Sequence, residues 1–243
     1  MSLRIGILAT GITPDDLLEK HGSYADMFVK LFGQAGYDFT FTTYDVRDDL
    51  FPGAADAHDA WIITGSKSNV YEKTPWMMRL KDLILEIYDT GRPMVGICFG
   101  HQIVAEAFGA DVNRYPDGWG VGLHTYQLEK DVPELDGLGG QFTLSAVHQD
   151  QVLSKPKQAE VIAYSSFCPF AALQYDNRIL TLQAHPEFNV EFETQLLLSR
   201  RDDPIPPNAA DEALVGLNDE SAHTDSLQVA HWMASFLQQG AQR

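Results

Sequence analysis

Only two of the 243 residues are cysteine, Cys98 and Cys168. Such a pair makes no disulfide framework, so a reducing, cytoplasmic setting is the expectation. No apolar run approaches the roughly 18 residues of a transmembrane helix, and no charged-then-apolar leader opens the chain. Cations are scarce, with 17 Lys and Arg against 34 Asp and Glu and a formal net charge of −17. That balance argues against nucleic acid or an anionic membrane surface as the main partner. A Gly-rich loop of Rossmann or Walker type is missing, which weakens any nucleotide-binding reading. No His, Cys and carboxylate cluster has metal-ligand spacing either, so neither a metal nor another cofactor is expected.

What is present is ordinary globular material, 44% apolar, long enough to bury a full core. The chain is expected to form a single domain over 1–243, with excursions at about 10–22 and 201–221. Arg4 to Leu8, Phe39 to Tyr44, Ala60 to Thr64 and Met94 to Ile97 read as strands. Between them Ser23 to Gln34 and Trp76 to Thr90 read as amphipathic helices, and a further helix runs from about Gly100 to Phe108. This alternation predicts a parallel sheet with helices on both faces. The second half changes character, with strands at Val121 to Leu128, Phe142 to Val147, Val161 to Ser165, Ala171 to Tyr175 and Ile179 to Gln183. Their short turns predict mostly antiparallel pairing. Helices over Val190 to Arg200 and Ser226 to Gln239 close the chain, and the polar stretch Arg201 to Ser221 reads as a surface excursion or lid.

The most informative stretch is Gly96-Ile97-Cys98-Phe99-Gly100-His101-Gln102, where an apolar strand stops at a cysteine and a helix begins. A sharp strand-to-helix turn exposes its apical side chain at the rim of a sheet. The helix N-terminus behind the sulfur favours thiolate over thiol. The alternative is a cysteine buried as a small hydrophobe, which leaves the flanking glycines poorly explained. A nucleophile needs a base, and the base needs an orienting acceptor. Of eight histidines, His185 ends the apolar strand Ile179 to Ala184, Pro186 stops the ladder, and Glu187 follows. An extended backbone puts positions 185 and 187 on one face, so the carboxylate can fix the imidazole tautomer. Read alone, His-Pro-Glu is equally a strand-end turn. Oxyanion donors are expected at the Phe99 N–H and at the turn Thr64-Gly65-Ser66-Lys67, which ends another apolar strand.

Together these residues resemble the class I (triad) glutamine amidotransferase family. Gly96, Cys98, Gly100 and Gln102 match its Gly-x-Cys-x-Gly-x-Gln elbow, and His185-Pro186-Glu187 matches its His-Pro-Glu signature. The segments Thr64 to Tyr71 and Val147 to Val152 resemble the oxyanion and substrate loops of the GMP synthase branch. The resemblance implies a flavodoxin-like, mostly parallel central sheet flanked by helices, with an additional smaller antiparallel sheet. It implies hydrolysis of the γ-glutamyl amide of glutamine through a Cys98–His185–Glu187 triad and a γ-glutamyl thioester, releasing ammonia. Gly65, Ser66 and Phe99 would hold the oxyanion. Gln102 would help hold glutamine, and the backbone around His148 and Gln149 its amino-acid end. Two departures stand out: Ser66-Lys67 replaces the usual Gly-Pro, and Phe99 stands where Leu is more usual.

Three readings stay open. A glutaminase would hand ammonia to a separate synthetase subunit. A stand-alone γ-glutamyl peptidase or hydrolase would use the same triad on γ-glutamyl peptides or conjugates, and the lack of a following synthetase domain before Arg243 leans that way. A non-catalytic binding or regulatory protein on the same fold is disfavoured by the intact Cys98, His185 and Glu187. Cys168 reads as structural.

Overall fold

The computed structural model describes residues 2–243. Its core is a nine-stranded sheet in the order β2-β1-β3-β4-β11-β10-β9-β6-β7. Four strands from the first half, β1 (Arg4–Ala9), β2 (Thr40–Asp45), β3 (Ala60–Ile63) and β4 (Met94–Ile97), pair in parallel. The next neighbour, β11 (Ile179–Leu182), also joins β4 in parallel, although it comes from the far end of the chain. From β11 outward the pairing is antiparallel, through β10 (Ala172–Tyr175), β9 (Ala159–Tyr164), β6 (Gly120–Leu128) and β7 (Gln141–His148). A separate two-stranded antiparallel sheet joins β5 (Val112–Arg114) to β8 (Asp150–Val152).

The helices lie where alternation along the strands sends the side chains. Ile5, Ile7, Ala60, Ile62, Val95 and Ile97 face α2 (Tyr24–Gln34) and α7 (Ser226–Ala241), which contribute Phe28, Phe32, Met233 and Leu237 to the same buried cluster. Leu8, Trp61, Ile63 and Met94 face the other side, against Leu80, Ile84 and Ile87 of α3 (Pro75–Thr90) and Ile103 and Val104 of α4 (Phe99–Ala107). Burying a large apolar side chain on either face contributes roughly 1.5–3 kcal/mol, which explains why both faces are covered. α2 starts at a capping box in which Ser23 and Asp26 satisfy each other's backbone N–H groups.

Both excursions carry helical structure. The first contains α1 (Asp15–His21), and the second contains α6 (Pro207–Leu217), which lies on β6. Gly122 makes that approach possible: it has φ 91°, and a Cβ there would sit 2.9 Å from the Cβ of Ala213. Leu17, Ile205, Ala210 and Leu217 are buried in a third cluster with Phe188 and Phe192, near the start of α5 (Val190–Arg200). The polar, proline-bearing composition of 201–221 hid this, because only three of its side chains, Ile205, Ala210 and Leu217, are buried in that cluster.

Candidate active site

The parallel register brings three strand ends to one edge of the sheet. Ile97 of β4 is level with Leu182 of β11, and Gly96 is level with Ile63 of β3. The residues just past these ends are Cys98, the run to His185, and Thr64-Gly65-Ser66. Carboxyl edges of parallel strands are where such sheets place their sites. The Cys98 N–H donates to the Leu182 carbonyl at 2.8 Å, which ties the elbow to the strand that carries the histidine.

Cys98 itself takes the strained conformation, φ 52° and ψ −101°, at the N-cap of α4. A non-glycine residue there costs on the order of 1–3 kcal/mol and persists only when its surroundings enforce it. The flanking glycines, expected to make the turn, serve instead as clearance. A Cβ on Gly96 would lie 2.8 Å from the Gly100 carbonyl oxygen, and one on Gly100 would lie 2.6 Å from that of Ile63. They let α4 sit directly against β3 and β4. Phe99 is fully buried with its ring 5.6 Å from that of Trp76, so its extra volume is absorbed by α3.

His185 is held from both ends. Its N–H donates to the Ser145 carbonyl at 2.8 Å, a bridge by which β7, the far edge of the sheet, returns to the segment after β11. Its Nδ1 lies 2.8 Å from Glu187 Oε1, and both side chains are buried. The Phe188 ring stacks on the imidazole at 4.0 Å and 2°. Burial lowers the affinity of this imidazole for a proton, but the neighbouring charges of Glu187 and Cys98 and hydrogen bonds to both outweigh it and raise the pKa to about 10. The other inner histidines go the opposite way. His101 and His148 are each pushed down to about 3, chiefly by burial. His101 Nδ1 is 2.8 Å from Thr181 Oγ1, and it faces the sheet. Among these three, only His185 sits between a sulfur and a carboxylate.

Gly65 shows how close the groups are. A Cβ built on it would be 2.7 Å from His185 Cε1 and 3.6 Å from Cys98 Cβ, so glycine is the residue that fits. Its carbonyl oxygen accepts from Thr10 Oγ1 at 3.1 Å and Thr64 Oγ1 at 3.2 Å. In a planar trans peptide the next N–H points the opposite way, so that of Ser66 is directed away from Thr10 and Thr64. The N–H groups of Ser66 and Phe99 have no backbone acceptor among the described residues; for Phe99 this follows from its place in the first helical turn.

A cavity of about 190 Å³ opens at Cys98 and is lined by Ser66, Gln102, Arg114, His148, Gln149 and Asp150 among others. Every substrate residue expected from sequence therefore borders it. The Gln102 amide is committed within the protein, donating to the Asp150 carbonyl at 2.8 Å and to Gln183 Oε1 at 3.2 Å. Arg114, Trp119 and Arg200 also border it and were not foreseen, whereas Asp150 lies in the expected substrate loop. Arg114 comes from β5, Trp119 from the residue before β6 and Arg200 from the end of α5, places with little local signal. Beside this region Glu193 is fully buried, with Oε1 accepting from the Gly122 N–H at 2.8 Å, and burial raises its pKa to about 7.

The model for glutamine amidotransferase class-I matches residues 16–201. The chain belongs to that family. Within it, γ-glutamyl peptidase 4 of Arabidopsis thaliana is 31% identical over 186 residues, covering 73% of each chain. A putative glutamine amidotransferase of Saccharomyces cerevisiae is 32% identical over 195 residues, covering 74% of this chain and 77% of the other. Among solved structures, a glutamine amidotransferase from Thermotoga maritima superposes with a TM-score of 0.74 over 98% of this chain and 99% of that one, at 19% identity. The class I glutamine amidotransferase fold is thus shared over nearly the whole length. No helix among the described residues is long and apolar enough to cross a membrane.

Proposed function

We propose that the protein hydrolyses the side-chain amide of a γ-glutamyl compound through Cys98, His185 and Glu187. The observation that carries this reading is His185, oriented by Glu187 at 2.8 Å and pressed with Cys98 against Gly65. With the proton already on His185, Cys98 Sγ attacks the amide carbon, forming an S–C bond while the carbonyl electron pair moves to oxygen. The N–H groups of Phe99 and Ser66 hold that oxyanion; losing one such donor typically costs about 3–4 kcal/mol of barrier lowering. Collapse breaks the C–N bond, and the amine leaves with the proton from His185. Water then gives a proton to His185 and attacks the thioester, glutamate departs, and the proton stays on His185. Glu187 keeps the ring in the required tautomer throughout.

With glutamine as substrate the amine is ammonia, which a separate synthetase subunit would consume. A γ-glutamyl peptide or conjugate is the second reading. It is favoured by a further cavity of about 490 Å³ that adjoins the first through Lys67, Arg200 and Pro204. Ammonia has no use for such a space, whereas an amino-acid leaving group does. Ammonia release from glutamine and glutamate release from γ-glutamyl peptides, measured for the native chain and Cys98→Ala, test both. Turnover that survives Cys98→Ala sinks the mechanism. Stimulation of glutamine turnover by an added synthetase supports the first substrate, and partner-free peptide turnover supports the second.

A further inference from the structure

Resting on the hydrolysis reading above, the geometry points to Arg200, with Lys67 beside it, as the residue that selects γ-glutamyl compounds whose leaving group carries a carboxylate. Arg200 is the last residue of α5 and borders three cavities, two of which also touch Cys98. The smallest, about 20 Å³, lies between Cys98, His185, Tyr24 and Arg200, sharing Cys98 and Ser66 with the first cavity and Arg200 with the outer one. Lys67 follows the Gly65–Ser66 turn and borders both of the larger ones. A substrate whose scissile bond lies at Cys98 must send its acyl part and its leaving group in different directions. The cavity containing Gln102 and Asp150 touches Cys98 directly and suits a glutamyl chain. The leaving group then passes Arg200 and Lys67 toward Thr13 and Pro14.

The charges there are unusual for this chain. Seven of its cations pair with carboxylates, but among the described residues neither Lys67 nor Arg200 has a carboxylate within ion-pair distance. Asp15 and Asp203 also border the outer cavity, without pairing to either cation. Arg200 is half-buried with Tyr24 beside it and no carboxylate partner, and its planar fork matches a carboxylate. Against a net charge of −17, two cations without carboxylate partners on the same cavities make a local field that attracts an anionic substrate. Glutamine has no group to place there. The terminal carboxylate of a γ-glutamyl dipeptide or tripeptide does.

The test compares γ-glutamylglycine with its C-terminal carboxamide. The native protein is expected to favour the free carboxylate by about tenfold or more in kcat/KM, as a charge-assisted bond implies. Arg200→Gln is expected to bring that ratio close to one, chiefly through KM, and Arg200→Lys to restore part of it. Calorimetric binding of the two peptides to Cys98→Ala gives the same comparison without turnover. Equal kcat/KM for the two peptides in the native protein, or an unchanged ratio in Arg200→Gln, overturns the assignment. If neither peptide is hydrolysed yet Cys98→Ala still binds the carboxylate form more tightly, the selectivity stands and the hydrolysis reading falls.

Discussion

The ring of Phe188 lies flat on the imidazole of His185, with centroids 4.0 Å apart and planes within 2° of parallel. Phe188 is itself wedged against Tyr24 and Phe192, so the histidine is clamped from behind by a packed aromatic group. Phe188→Ala is expected to lower stability by about 3 kcal/mol, the usual cost of emptying a buried aromatic site. It should reduce kcat by more than it raises KM, because a loosened imidazole no longer meets the sulfur. Urea midpoints and steady-state kinetics on a γ-glutamyl substrate check both.

Gly65→Ala addresses the opposite wall. Its methyl group would lie 2.7 Å from His185 Cε1, so the imidazole has to move. We expect a loss of about a hundredfold or more in kcat/KM, as for a displacement near 1 Å at a reacting group. The thermal midpoint should change little, because the group displaced is a side chain and not backbone. A variant with native kinetics would show that the turn does not define the site.

The elbow holds Cys98 in a strained backbone conformation. Cys98 has φ 52°, which glycine adopts freely and alanine does not. Cys98→Gly and Cys98→Ala are both expected to be inactive, with the glycine variant the more stable by about 1 kcal/mol. Chemical denaturation of the pair isolates the backbone contribution.

His185 makes stability depend on pH in the alkaline range. Its pKa in the fold is about 10 against an ordinary 6.5, because Glu187 and Cys98 outweigh the opposing effect of burial. The folded state therefore holds a proton that the unfolded chain releases. The stability this contributes is complete below about pH 6.5 and is lost as pH rises through 10. Glu187→Gln removes one of the two supporting charges and should move the loss to lower pH. Unfolding midpoints between pH 6 and 10.5 measure the shift.

Glu193 acts in the acidic range with the same sign. Burial raises its pKa from 4.5 to about 7, so the protonated form is the one the fold favours. Its effect is greatest below about pH 4.5, and stability declines as pH climbs to 7. Glu193→Gln should flatten that stretch and be the more stable protein at pH 8, by roughly 1–3 kcal/mol. A lower unfolding midpoint than native at pH 8 would contradict it.

Much of this site was legible beforehand because it is built from strand ends. Cys98 and His185 each terminate an apolar run, and Glu187 lies two residues on, so sequence spacing alone grouped them as candidates. The inner strands of the parallel half were legible for the same reason: side chains buried on both faces leave short apolar runs, as in Ala60–Ile63 and Met94–Ile97. β5 and β8 were missed because three residues each carry too little pattern. α6 was missed because its anchors, Ala210 and Leu217, are few and set among polar residues.

By itself, then, the amino-acid order determined which chemical groups stand at the ends of strands, since hydrophobic periodicity and chain-breaking residues act over a few positions. Tertiary structure alone decided that β7 returns through Ser145 to grip His185, that Phe188 stacks behind it, and that the end of α5 delivers Arg200 to Cys98. Ser145 and His185 are 40 residues apart and Cys98 and Arg200 are 102 apart, and no local pattern encodes a meeting that exists only once the whole sheet has formed.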